Sequence, residues 1–337
     1  MVIIGHQKQL NYLKRMAESG KIPHALLFSG EAQLGKKTIA LEFISWLFGG
    51  NPLLHPDFIL IEPQAKHPEA ERSSLRGSPA PSSALVRGQI QIGQIRDLAF
   101  RLSLKPIKAP LKATIIDESH SMTPEAQNCF LKTLEEPKGN TLLILITQLP
   151  HFLLPTIVSR CQSIKFYPVK NDEIERYLKN QEGLSDREVE ENEFSSSPFA
   201  VAREIEEILK ISQGRPGRAV ELASSKEKFE FYKKRMKELA NLFNSNLSSR
   251  FQYAKEISTK ENLQEILEIW LNYFRNIFIK NCSTTSLEHL ENILQQIQRT
   301  IYLISTTNVN PRLALEILMM NFDYPSVSEG LKRDSSL

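Results

Sequence analysis

The run Ala113-Thr114-Ile115-Ile116-Asp117-Glu118 constrains the fold more than any other stretch. Apolar and β-branched residues ending in adjacent carboxylates predict a buried parallel strand. The C-terminal end of such a strand is where open α/β sheets bind ligands. There Asp117 is placed to hold a metal and Glu118 to polarise a water; taken alone, the pair fits a solvated strand end equally well. Thr123-Pro124-Glu125-Ala126 predicts a helix start, with a capping hydroxyl and Pro at the first helical position. That helix runs through Leu131-Lys132-Thr133-Leu134-Glu135-Glu136 and stops at Pro137. Thr141–Thr147 predicts a second buried strand. The alternation argues for an α/β domain with a parallel sheet.

A chain of 337 residues has room for two or three domains. The net charge of +3 argues against a protein that binds nucleic acid through its overall charge. Cys129, Cys161 and Cys282 stand far apart, which excludes a disulfide framework and a C-x-x-C zinc pair. Cytoplasmic residence is expected. The sequence shows no signal pattern and no long uncharged apolar run, so neither secretion nor a membrane span is expected.

Gly30-Glu31-Ala32-Gln33-Leu34-Gly35-Lys36-Lys37-Thr38 lies between a strand predicted over Lys21–Ser29 and a predicted helix, Ile39–Phe48. This is the context of a phosphate-binding loop. Gly30 and Gly35 allow the tight turn whose backbone N–H groups surround phosphates, and Lys36 would reach the terminal ones. The motif needs Ser or Thr immediately after that lysine to hold Mg²⁺. Lys37 stands there, and Thr38 lies about 100° further round the helix. Two readings follow: ATP or ADP held without metal-assisted hydrolysis, or a loop kept only for its shape.

The joint pattern of strand-Asp-Glu, Leu131–Pro137 and Ser159-Arg160-Cys161 resembles the AAA+ core of clamp-loader subunits of bacterial DNA polymerase III. The resemblance implies an AAA+ P-loop domain over 1–168 with a mobile insertion at 64–88. A helical lid over 169–225 and an all-α collar over 229–325, where subunits oligomerise, would follow. It implies nucleotide contacts from Gly30, Gly35, Lys36, Lys37, Thr38 and Asp117, from Thr147 as first sensor, and from Arg218 as lid sensor. Glu118 would be the catalytic carboxylate. Ile4-Gly5-His6 and the Pro23-His24-Ala25 turn would lie near the adenine. Arg160 would reach the γ-phosphate on a neighbouring subunit; by composition alone it reads as a surface arginine. Gln33, where the family has Gly, and Gln148 depart from the pattern. Lesions in the loop are similar to the delta-prime, or stator, type. Implied partners are the gamma/tau and delta subunits, the sliding clamp and, through the assembly, primer–template DNA. A gamma/tau-like ATPase motor, a stand-alone AAA+ repair or recombination ATPase, and a scaffold in which Arg160 is dispensable remain as rivals. Many relatives insert a four-cysteine zinc module after the second helix. Here Trp46–Leu54 runs directly into His55-Pro56-Asp57, so no zinc is expected.

Elsewhere, Gln64–Gly88 is rich in Pro, Ser and Arg and reads as an extended loop. Glu191–Pro198 reads as a polar interruption and Ser326–Leu337 as a frayed end. Lys233–Lys237 reads as a solvated helix face, Trp270 and Tyr273 as core, and Asn310-Pro311 as a capped helix start.

Overall fold

The computed structural model describes residues 3–64, 88–180, 198–243, 245–260, 262–280, 287–306 and 309–322. Most of the 64–88 insertion, the 191–197 interruption and the 326–337 end lie outside the described residues. Described residues up to Lys226 belong to one compact unit, and those from Glu227 onward to a second.

The first unit holds five parallel strands: β1 (Ala25–Ser29), β2 (Phe58–Ile61), β3 (Lys112–Ile116), β4 (Thr141–Thr147) and β5 (Gln162–Lys165). Their order is β2-β3-β4-β1-β5. The apolar runs read from the sequence are the central strands, buried on both faces. Helices α1 (Gln7–Ser19) and α2 (Lys36–Phe48) cover one face, over a core that includes Phe28, Phe43 and Ile144. Helices α3 (Ile92–Ser103), α4 (Pro124–Glu135) and α5 (Pro155–Val158) cover the other, around Phe130, Leu143 and Ile157. The start of α4 is as expected: the Thr123 hydroxyl accepts from the Ala126 N–H at 3.2 Å. This is the α/β domain with a parallel sheet that the alternation of strands and helices predicts.

The His55-Pro56-Asp57 segment has a structural use that its spacing does not reveal. Asp57 is buried, and its carboxylate accepts from the backbone N–H groups of Ile107, Lys108 and Ala109 at 2.8, 2.8 and 2.9 Å. It thereby fixes the basic turn that feeds β3. Burial disfavours its charge, yet the three donors hold its carboxyl below the ordinary range.

Three helices follow the sheet within the same unit: α6 (Asn171–Asn180), α7 (Pro198–Ser212) and α8 (Pro216–Ser224), packed on one another. The second unit is helical: α9 (Lys226–Phe243), α10 (Leu247–Ser258), α11 (Leu263–Lys280), α12 (Leu287–Thr306) and α13 (Pro311–Met320). There α11 packs on α12 and α10 on α13. Trp270 is fully buried, and Tyr273 only partly. The Asn310 side chain caps α13 by accepting from the Arg312 N–H at 3.0 Å. The Lys233–Lys237 run corrects one expectation. Arg235 is buried, its guanidinium 2.6 Å from Glu238, which also accepts from the Tyr253 hydroxyl at 2.6 Å. A charge inside a helical bundle needs such partners.

Candidate functional site

The loop Gly30–Gly35 joins the C-terminal end of β1 to the N-terminus of α2. Gly30 opens it beside β4, donating its N–H to the Thr147 carbonyl at 3.2 Å. A side chain here is excluded, because a Cβ on Gly30 would lie 2.5 Å from the Phe166 carbonyl oxygen. Gly35 caps α2 in the left-handed conformation. Lys36 is buried and points back into the loop, donating to the carbonyls of Gly30, at 2.7 Å, and of Glu31. Burial pushes its ammonium down to about 8, against the attraction of Asp117 and Glu31.

Lys37 is the residue that changes the chemistry. Its Nζ lies 3.2 Å from Asp117 Oδ2 at the end of β3 and also binds the Glu62 carboxylate just after β2. Burial works against its charge, but Glu62 and Asp117 hold its pKa above the ordinary lysine range. The loop, the second lysine and the strand-end carboxylate therefore meet, with an ammonium on the carboxylate to which the sequence reading assigned a metal. Glu62 is added by the sheet order, which sets β2 beside β3. Thr38 is half-buried one position further round α2. Glu118 adopts a left-handed backbone, and its N–H donates to Asp117 Oδ1 at 3.0 Å. Thr147 is buried at the end of β4; its hydroxyl accepts from the Leu149 N–H at 3.0 Å and lies 3.4 Å from His120 Nδ1.

Helix α8 sits directly on this loop. Gln33, the family's Gly position, has φ 59° and uses both ends of its residue. Its carbonyl accepts from the Gly217 N–H at 2.9 Å, and its side-chain amide donates to Glu221 at 2.7 Å. Gly217 permits that approach, since a Cβ there would come within 2.8 Å of the Gln33 oxygen. Arg215, which sequence reasoning passed over, lies 2.8 Å from Glu31 of the loop. Arg218 is buried in the first turn of α8. A charged residue just before a Pro-Gly helix start, facing an acidic loop residue, was the available signal for Arg215.

Of the two segments expected near the base of the nucleotide, one stands at the loop. A ring nitrogen of His6 lies 2.9 Å from the Leu34 carbonyl. His24 immediately precedes β1 and so lies at the opposite edge of the sheet from Gly30. The Pro-His-Ala turn is therefore away from the phosphate end. Among the described residues the buried Nε2 of His24 has no hydrogen-bond partner.

Arg160 also belongs to that opposite edge. It precedes β5, whose first residue, Gln162, pairs with Leu26 near the start of β1. Its guanidinium lies 2.7 Å from Glu135 and donates to the Thr156 carbonyl at 3.0 Å, with the side chain 38% exposed. Among the described residues, no cluster of His, Cys, Asp and Glu is arranged to hold a metal. No described helix is long and apolar enough to cross a membrane.

Two family models match the chain. "DNA polymerase III, delta subunit" matches residues 5–170, and "Cyanobacterial DNA polymerase III delta prime, C-terminal domain" matches residues 195–322. The chain is 33% identical to DNA polymerase III subunit delta' of Bacillus subtilis over 178 residues, 51% of each protein. It is 30% identical to the subunit delta' of Pseudomonas aeruginosa over 41% of each. It is also 30% identical to a replication factor C small subunit of Methanococcus vannielii, over 55% of this chain and 50% of that one. The chain thus spans about half the length of these relatives, or less.

Proposed function

We propose, from the premise that this chain belongs to the delta-prime-like family of DNA polymerase III clamp-loader subunits, that it is the stator of such a loader. In this reading it sits in the cytoplasm in a ring with gamma/tau and delta subunits. The ring uses ATP to open the sliding clamp and load it on primer–template DNA. This chain completes a neighbour's ATP site with Arg160 and holds the ring through its C-terminal helices. Its own loop takes ATP or ADP without turning it over.

The observation that carries the reading is the position of Arg160. It stands at the edge of the sheet opposite its own phosphate loop, so its guanidinium is available to another subunit's nucleotide and not to its own. Arginine suits that task, being always charged and bidentate. The Lys37–Asp117 ion pair supports the second half, since it occupies the carboxylate that a motor would use for its metal.

The test is ATP hydrolysis by the reconstituted loader, stimulated by clamp and primed DNA. The expected result is a large loss with Arg160→Ala and no hydrolysis by this chain alone. An unchanged rate in the Arg160→Ala loader, with turnover by the isolated chain, would overturn the stator reading in favour of a motor.

A further inference from the structure

In hydrolytic phosphate loops, Mg²⁺ sits between the hydroxyl after the loop lysine and the carboxylate at the end of a neighbouring strand. Here that space is bounded by an ammonium. Lys37 Nζ lies 3.2 Å from Asp117 Oδ2 and is also hydrogen-bonded to Glu62. Mg²⁺ needs oxygen ligands at about 2.0–2.1 Å in near-octahedral array. A dication brought to Asp117 would have to displace Lys37 and would be repelled by it. The residues present do not fit the metal. The phosphate-facing parts nevertheless remain: the space beside Gly35 is open, and Lys36, 5% exposed, is aimed into the loop, where it donates to the Gly30 carbonyl.

We propose that Lys37 stands in for the divalent cation, so that the loop takes the polyphosphate of a nucleotide in its metal-free form and disfavours the Mg²⁺ complex. Two carboxylates on different strands fix this internal cation, one after β2 and one after β3. An ammonium held by the fold therefore stands where a ligand would otherwise bring its dication. The proposal rests on reading Gly30–Lys36 as a phosphate cradle. It is independent of Arg160, which lies at the other edge of the sheet.

The experiment is calorimetric titration of ADP into the full chain, once with excess Mg²⁺ and once with EDTA. The wild-type chain is expected to bind ADP at least as tightly in EDTA as in Mg²⁺. Lys37→Thr restores the metal-holding hydroxyl and is expected to reverse the preference, Mg²⁺ then tightening binding by about tenfold. Lys37→Arg, which keeps the charge, is expected to behave as wild type. Wild-type binding that is about tenfold tighter with Mg²⁺, or a Lys37→Thr variant indifferent to Mg²⁺, would overturn the proposal. So would the absence of ADP binding in both buffers. That last result leaves the stator reading standing, because the Arg160→Ala loader measures it separately.

Discussion

Arg160 and Glu135 hold one another, Nη2 lying 2.7 Å from Oε1, and the contact joins the Ser159-Arg160-Cys161 segment to the acidic end of α4. Both side chains are substantially exposed, so such a pair stabilises the chain by about 1 kcal/mol or less. Its effect is to fix where the guanidinium waits. Glu135→Ala is therefore expected to slow the assembled loader by about fivefold at most. Arg160→Ala is expected to cost about 10³-fold or more. Steady-state hydrolysis by the two variant loaders checks this, and equal losses would contradict it.

The Asp57 carboxylate is expected to be a large single contributor to the stability of the base. Asp57→Asn weakens three hydrogen bonds to a buried charge, at a cost of about 2–3 kcal/mol. Because its folded pKa lies below its ordinary value of 3.8, the stabilisation is present in full above that value. It is lost as pH falls from there through the folded pKa. Urea unfolding followed by Trp46 fluorescence, with Trp270→Phe in both chains to leave one reporter, should show that the chain with Asp57 loses this increment in acid. The Asn variant should lack it at every pH.

Gln33 ties α8 to the loop, so correcting Lys37 alone should not create a motor. Lys37→Thr is expected to leave the isolated chain without ATP hydrolysis. Gln33→Gly removes the amide contact to Glu221 and relieves a left-handed backbone that costs a non-glycine residue about 1 kcal/mol. Overall stability should then change little, while hydrogen exchange in α8 rises. Turnover by Lys37→Thr, or unchanged protection of α8 in Gln33→Gly, would count against this account.

Trp270 is the anchor of the C-terminal helices. It is fully buried, stacked with Tyr253 at 6.2 Å between ring centroids and packed against Phe322 at 5.9 Å. Trp270→Ala is expected to cost about 3–5 kcal/mol. Trp46 lies in the other unit and is the only tryptophan left in this variant. Its fluorescence transition should stay in place while the helical signal of the C-terminal unit is lost earlier.

What the sequence made legible is what depends on neighbours along the chain. The strands at Ala113–Ile116 and Thr141–Thr147, the Thr123 and Asn310 caps and the glycines of the loop all follow from local pattern. What it hid depends on which strands lie side by side. Glu62 reaches Lys37 only because β2 neighbours β3, and Gln33 meets Glu221 across 188 residues. The resemblance places His24 near the nucleotide, but the length of β1 separates it from Gly30. Arg235 lies in a run of basic residues whose exposure no local pattern decides, and the packing buries it.

The separation of Arg160 from Gly30 across one sheet gives the molecule a polarity. In the proposed reading each chain carries a socket at one end and a plug at the other, and the two never meet within it. Under the in-trans reading, association must run head to tail, with unlike surfaces in contact at every joint. Unless such a series closes fully on itself, one end has a socket that no neighbour serves. A member whose socket has given up its metal is suited to that end, because nothing is wasted there.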